Sequence, residues 1–162
     1  MKPRDHEAGS DSGRRISEAI AELSLPSSAI RRLDDAAAVA ARAGIEVHWF
    51  AGRTPWTFDA TVLAYDWYRP PGGDGSLHLH KVVPDPAEQV WFGGIEDGDC
   101  AVFVADASTA QRVLGETSFF EYFVTDVQLR WLLVENHHGA MIAVGDEVRA
   151  RVRSLAAEEE ER

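Results

Sequence analysis

The sequence predicts an α+β domain: a central, mostly antiparallel sheet with a three-strand meander near the carboxyl end, covered by helices. Three observations predict it. The densest apolar stretch, 119–145, reads FFEYFVTDVQLRWLLVENHHGAMIAVG and divides into strand-length runs separated by short turn-type stretches, which is how consecutive hairpins are written. Within it, alternate residues on both faces are apolar, so the meander is expected to be covered on both sides. Helix-type segments cluster early and late rather than alternating with strands, which argues against a doubly wound parallel sheet.

Taken in order, residues 1–14 are polar and charged without apolar periodicity and are expected to be a disordered lead. Ile16, Ile20 and Leu23 fall at helical spacing and predict a short helix over 16–25. A longer helix is expected over 29–43, with Ile30, Leu33, Ala37, Ala40 and Ala41 as its stripe and Gly44 as its stop. Ile45, Val47 and Trp49 alternate with Glu46 and His48, a strand pattern over 45–50. Residues 60–68 suit either a helix capped by Asp59 or a strand built on Thr61, Val62, Tyr65 and Trp67; the helix is the preferred reading.

A strand is expected over 76–83, and 89–95 with 101–104 form a hairpin around the Glu96-Asp97-Gly98-Asp99 turn. Asp106 or Ser108 caps a helix over 109–114. The meander follows, and a final helix from Asp146 carries Val148, Val152 and Leu155 on one stripe. The organisation is thus a single domain over 15–157, with an acidic tail at 158–162.

Composition bounds function. The chain has 162 residues, 45% of them hydrophobic, with a formal charge of −11. That length suits one domain with a real core. No apolar run is long enough to span a bilayer and no apolar core follows the charged amino terminus, so a cytoplasmic protein without a membrane partner is expected. The acidity disfavours nucleic-acid binding, whose footprint is a basic stripe, and favours a basic protein partner. Cys100, the single cysteine, excludes an internal disulfide. Its acidic neighbours would raise a thiol pKa, so it is expected to be a small buried side chain rather than a nucleophile.

The candidate functional loop is Glu135-Asn136-His137-His138, the second turn of the meander, supported by Glu121, Tyr122, Arg130 and Trp131. In a strand, His78 and His80 would point the same way and bind one divalent metal ion, with His137, His138 or Glu135 completing the set. Glu121, a carboxylate within an aromatic strand, is expected to pair with Arg130 across the Asp126 turn. The alternative for Glu121 is a general base. The metal motifs of cupins and of His-Asn-His nucleases are incomplete here, and Gly-x-Ser-x-Gly and Gly-rich phosphate loops are absent.

Phe120-Glu121-Tyr122-Phe123, Trp131-Leu132-Leu133, Glu135-Asn136-His137-His138 and Gly145 together resemble a bacterial family of small domains of unknown function. The resemblance covers roughly the last third of the chain and implies the boundaries of the domain rather than an activity. The leading expectation is a non-catalytic interaction domain of accessory or immunity type, masking a basic partner without a cofactor. The alternative is a metal-assisted hydrolase using His78, His80 and the His137-His138 loop.

Overall fold

The computed structural model describes residues 12–50, 65–68, 75–95, 100–117, 120–136 and 140–161. Its helices are α1 (Ser12–Glu22), α2 (Asp35–Ile45), α3 (Leu79–Val82), α4 (Ala107–Glu116) and α5 (Asp146–Glu160). Its strands are β1 (Ile30–Arg32), β2 (Tyr65–Tyr68), β3 (Gln89–Gly94), β4 (Phe103–Asp106), β5 (Tyr122–Asp126), β6 (Leu132–Glu135) and β7 (Met141–Val144). They form one seven-stranded sheet in the order β1-β4-β3-β5-β6-β7-β2. Every neighbouring pair is antiparallel. This is the α+β fold that the apolar pattern predicts, with β5, β6 and β7 as its meander.

Every residue of the meander strands is buried, and the period-two alternation divides them between two cores. Tyr122, Val124, Leu133, Met141 and Ala143 join Ile16, Leu79, Val113 and Val152 on the face covered by α1, α3, α4 and α5. Phe123, Leu132, Val134 and Ile142 join Ala38, Ala41 and Ile45 of α2 on the other. A sheet packed on both faces needs apolar side chains at every position, which is why these strands lack polar alternation. Each large side chain buried completely, such as Phe123 or Leu132, contributes about 1.5–3 kcal/mol relative to exposure. Arg42 fastens α2 to the sheet: its Nη2 donates to Gly94 O at 2.8 Å and Ala101 O at 2.9 Å.

Several elements depart from the sequence reading. The expected helix over 29–43 is a strand and then a helix. Ile30 pairs with Ala105 at the open edge of β4, while Asp34 Oδ1 accepts the Ala37 N–H at 2.8 Å and starts α2 later. Gly44 does not stop that helix, which widens into a π turn at Glu46–Phe50 where a strand was expected. Helical rotation therefore decides exposure there: Ile45 is 2% exposed and Val47 74%. Within 60–68 the described part is strand, not helix, because Tyr65–Tyr68 closes the free edge of β7.

Residues 75–82 are likewise no strand. A 3-10 turn at Gly75–His78 leads into α3. The first helix begins at Ser12, with Ser12 and Gly13 buried, so the expected lead overlaps it at 12–14; residues 1–11 lie outside the described residues. The expected tail is helical through Glu160.

The β3–β4 hairpin, the α4 cap and the α5 stripe match expectation; the 96–99 turn lies outside the described residues. Asp106 Oδ1 accepts the Thr109 N–H at 2.7 Å, satisfying one of the free amides at the start of α4. Asp106→Ala is therefore expected to lower unfolding free energy by about 1 kcal/mol. Urea denaturation checks this, and Asp106→Ser should restore most of the loss.

Candidate functional site

The β5–β6 register pairs Tyr122 with Glu135 and Thr125 with Leu132. Glu135 therefore sits at one end of the hairpin and Asp126 at the other. Both are 0% exposed, and an ionised carboxylate tolerates such burial only when donors replace its water.

At the tip end, Glu135 pairs with Tyr122 on one side and Met141 on the other, on the sheet face toward α3 and α4. Its Oε1 accepts the Gly75 N–H at 2.9 Å. Gly75 has no room for a side chain: a Cβ there would stand 2.8 Å from Glu135 Oε2 and 2.8 Å from Met141 Cε. The 3-10 turn that begins at Gly75 carries buried Ser76 and half-buried His78 over this end of the sheet.

Asn136, also buried, shapes the loop that follows. Its N–H donates to Ala140 O at 3.1 Å and its Oδ1 accepts the Ala140 N–H at 3.2 Å. Asn136 thus uses backbone and side chain together to bring the ends of the loop face to face. His137 and His138 lie outside the described residues.

His78 and His80 are not neighbours on a strand. Residues two apart on a helical turn are separated by about 200°, so His78 and His80 do not share a direction. His80 is exposed, and both its N–H and its ring Nδ1 meet Gln111 Oε1, at 2.7 and 3.2 Å. Outside the expected ligand set, exposed His48 packs edge-on against Trp49, with ring centroids 4.6 Å apart. Among the described residues no three His, Cys, Asp or Glu side chains form a metal-holding group. Cys100 is exposed rather than buried, since it precedes β4 and lies outside the packed strands.

The opposite end is organised by Asp126. Its Oδ1 accepts the N–H groups of Arg130 at 2.6 Å and Trp131 at 3.3 Å, and its Oδ2 accepts Arg130 Nε–H at 2.6 Å. The turn is closed by Leu129 N–H donating to Asp126 O at 3.1 Å, with left-handed backbone at Leu129 (φ 56°). Arg130 reaches on to Glu88. Its pKa is raised, first by the hydrogen bond to Asp126, then by the charges of Asp126 and Glu88.

The expected Glu121–Arg130 pair does not form. The register places Glu121 beside the Asn136 end and Arg130 in the turn at the other, and a strand separates its ends by about 3.3 Å per residue. Glu121 is half-buried just before β5.

Beside this turn lies an open groove of about 440 Å³ lined by Pro84, Asp85, Glu88, Arg130, Trp131 and Glu147. Sequence reasoning missed Asp126, Glu88, Glu147 and Gly75. Asp126 four residues before Arg130 was a readable signal, whereas Glu88 and Glu147 meet only through the fold.

Among the described residues no helix is long and apolar enough to cross a membrane. Comparison with protein-family models, with curated proteins and with solved structures found no match for this chain.

Proposed function

We propose that this chain is a non-catalytic interaction domain of accessory or immunity type, acting in a bacterial cytoplasm and engaging a basic protein partner through its acidic surface. Membership of the bacterial family that the last third resembles belongs to the same proposal. The observation that carries it is the division of the carboxylates. Asp126 and Glu135 accept backbone N–H groups inside the fold, a scaffold use. Asp85 and Glu147 lie exposed at the surface of a chain whose formal charge is −11. Such a field attracts cationic partners and repels nucleic-acid phosphates.

The test is affinity capture at low salt, followed by reconstitution with each purified candidate. A basic protein that binds directly, and weakens as salt rises from about 0.05 to about 0.5 M, is the expected result. Partners that are neutral or acidic, or binding indifferent to salt, would remove this reading.

One observation favours a second reading, a metal-assisted hydrolase. The Gly75–Glu135 hydrogen bond lays the turn carrying His78 against the start of the Glu135-Asn136-His137-His138 loop. On that reading, the purified protein holds one divalent ion per chain and His78→Ala or His137→Ala loses it. Metal analysis giving only traces, equal in wild type and variants, would exclude it.

A further inference from the structure

We infer that the outward face of α2 and its π turn docks an amphipathic helix of the partner, apolar along one side and carrying lysine or arginine along one flank of that side. The inference rests on the interaction reading above and gives it a location and a partner element.

The polarity of α2 is inverted for a helix lying on a sheet. Between 36 and 45 its one charged residue is Arg42, and that side chain turns inward. Its Nη2 reaches Gly94 O and Ala101 O, and its guanidinium carbon stands 5.2 Å from the centroid of the Phe123 ring. Outward the helix shows Ala36, Val39, Ala40 and Ala43, continued by Val47 in the π turn, all exposed. Val39 and Val47 are 55% and 74% exposed. A helix that is apolar on both sides is ordinarily covered on both. Ala36, Ala40, Ala43 and Val47 follow one another at spacings of four, three and four, the seam along which helices pack on helices. Alanines in that seam let two axes approach to about 8 Å.

Charge says what kind of helix fits. Asp35 lies four residues before Val39 and Glu46 seven after it, so all three share one flank of the stripe, and both carboxylates are exposed. They stand about 16 Å apart along the axis. The opposite flank carries no charge: Ala37 and Gly44 lie there, with Leu129 of the β5–β6 turn beside Gly44. A partner helix of about four turns thus meets apolar surface along its middle and two carboxylates on one side, which cations about eleven residues apart on the partner reach.

The experiment uses a fluorescein-labelled helical peptide of about 18 residues, with leucine at every third or fourth position and lysine along one flank, titrated into the full chain at low salt. Val39→Glu and Val47→Glu should each weaken binding about tenfold, although each makes the chain more acidic. Leu77→Glu, the same change at an exposed residue of the opposite layer, should leave binding within about twofold of wild type. Glu46→Lys should weaken it about threefold more than Glu158→Lys, which makes the same charge change on α5. In a ¹⁵N spectrum of the wild type the amides of residues 36–47 should move most as peptide is added; spectra of the free variants that match wild type outside α2 establish that they fold.

Val39→Glu and Val47→Glu binding as well as wild type or better, or amide shifts centred elsewhere, would overturn the α2 face yet leave a basic partner drawn by charge. A wild-type chain that dimerises in sedimentation, and stops doing so in Val39→Glu, would give the stripe to a second copy and overturn the partner helix. A peptide that does not bind the wild-type chain at low salt would overturn both readings.

Discussion

Gly75→Ala is expected to lower unfolding free energy by about 2–3 kcal/mol, because the added methyl has nowhere to go. It would stand 2.8 Å from Glu135 Oε2, 3.0 Å from Glu135 Cδ and 2.8 Å from Met141 Cε. The Met141 methyl ends a flexible side chain, but the Glu135 carboxylate is wholly buried and accepts the N–H of this same residue. Relieving the overlap therefore weakens the bond that fixes the 3-10 turn over the tip end of the sheet. Urea unfolding of Gly75→Ala, Glu135→Ala and the double variant measures the coupling. The double variant should be less damaged than the sum of the single ones, by about 1 kcal/mol or more, with Met141 keeping the rescue partial. Gly115 supplies the contrast: its nearest neighbour to an added Cβ is Ser76 Oγ at 3.9 Å. Gly115→Ala inside α4 should be neutral or stabilise by up to about 1 kcal/mol. Equal effects at the two glycines would mean that the carboxylate does not set the requirement at Gly75.

The second large effect is expected at Asp126. Asp126→Ala should destabilise by about 3 kcal/mol, because it strands the Arg130 and Trp131 N–H groups that the buried carboxylate accepts. Asp126→Asn keeps an oxygen for the two amides and should lose markedly less. Arg130→Ala should be milder than Asp126→Ala, since its side chain is largely exposed and the amides still reach the carboxylate. The pH dependence has a definite sign on the arginine side. A pKa raised by Asp126 means a contribution fully present below the ordinary arginine value and lost only as pH climbs through the raised one. Between about pH 5 and pH 9 the guanidinium therefore stays charged. Chemical denaturation of the three variants across that interval checks the ranking.

What the sequence revealed, and what it concealed, follows from which force decides each element. The meander was legible because Phe123, Leu132 and Val134 mark one covered face while Tyr122, Val124 and Leu133 mark the other. Asp106 was legible as a cap because its bond is local. Ile30–Arg32 and Tyr65–Tyr68 were not, since each becomes a strand by completing an edge supplied from the other half of the chain, and local propensity carries no record of that edge. His78 and His80 look like neighbours on a strand because only their spacing is visible. The 3-10 turn held by Glu135 through Gly75 separates their directions. At the site, Glu135 and Asn136 stand out in the sequence as polar residues at the end of an apolar run, and both are buried. Asp126 was passed over because an aspartate beside a turn is so commonly explained by the turn alone. Glu121 was matched to Arg130 without the register that puts them at opposite ends.

The order of strands has a consequence for how the chain matures during synthesis. Both outermost ribbons come from the amino-terminal half, and their hydrogen-bonding neighbours, β4 and β7, come later in the chain. Closing such long loops is slow relative to forming adjacent hairpins. A nascent chain emerging from the ribosome thus exposes Ile30 and the aromatic segment at 65–68 before anything exists to receive them. The carboxyl-terminal half, holding the β3–β4 and β5–β6–β7 hairpins, supplies both of the edges that these two earlier segments complete.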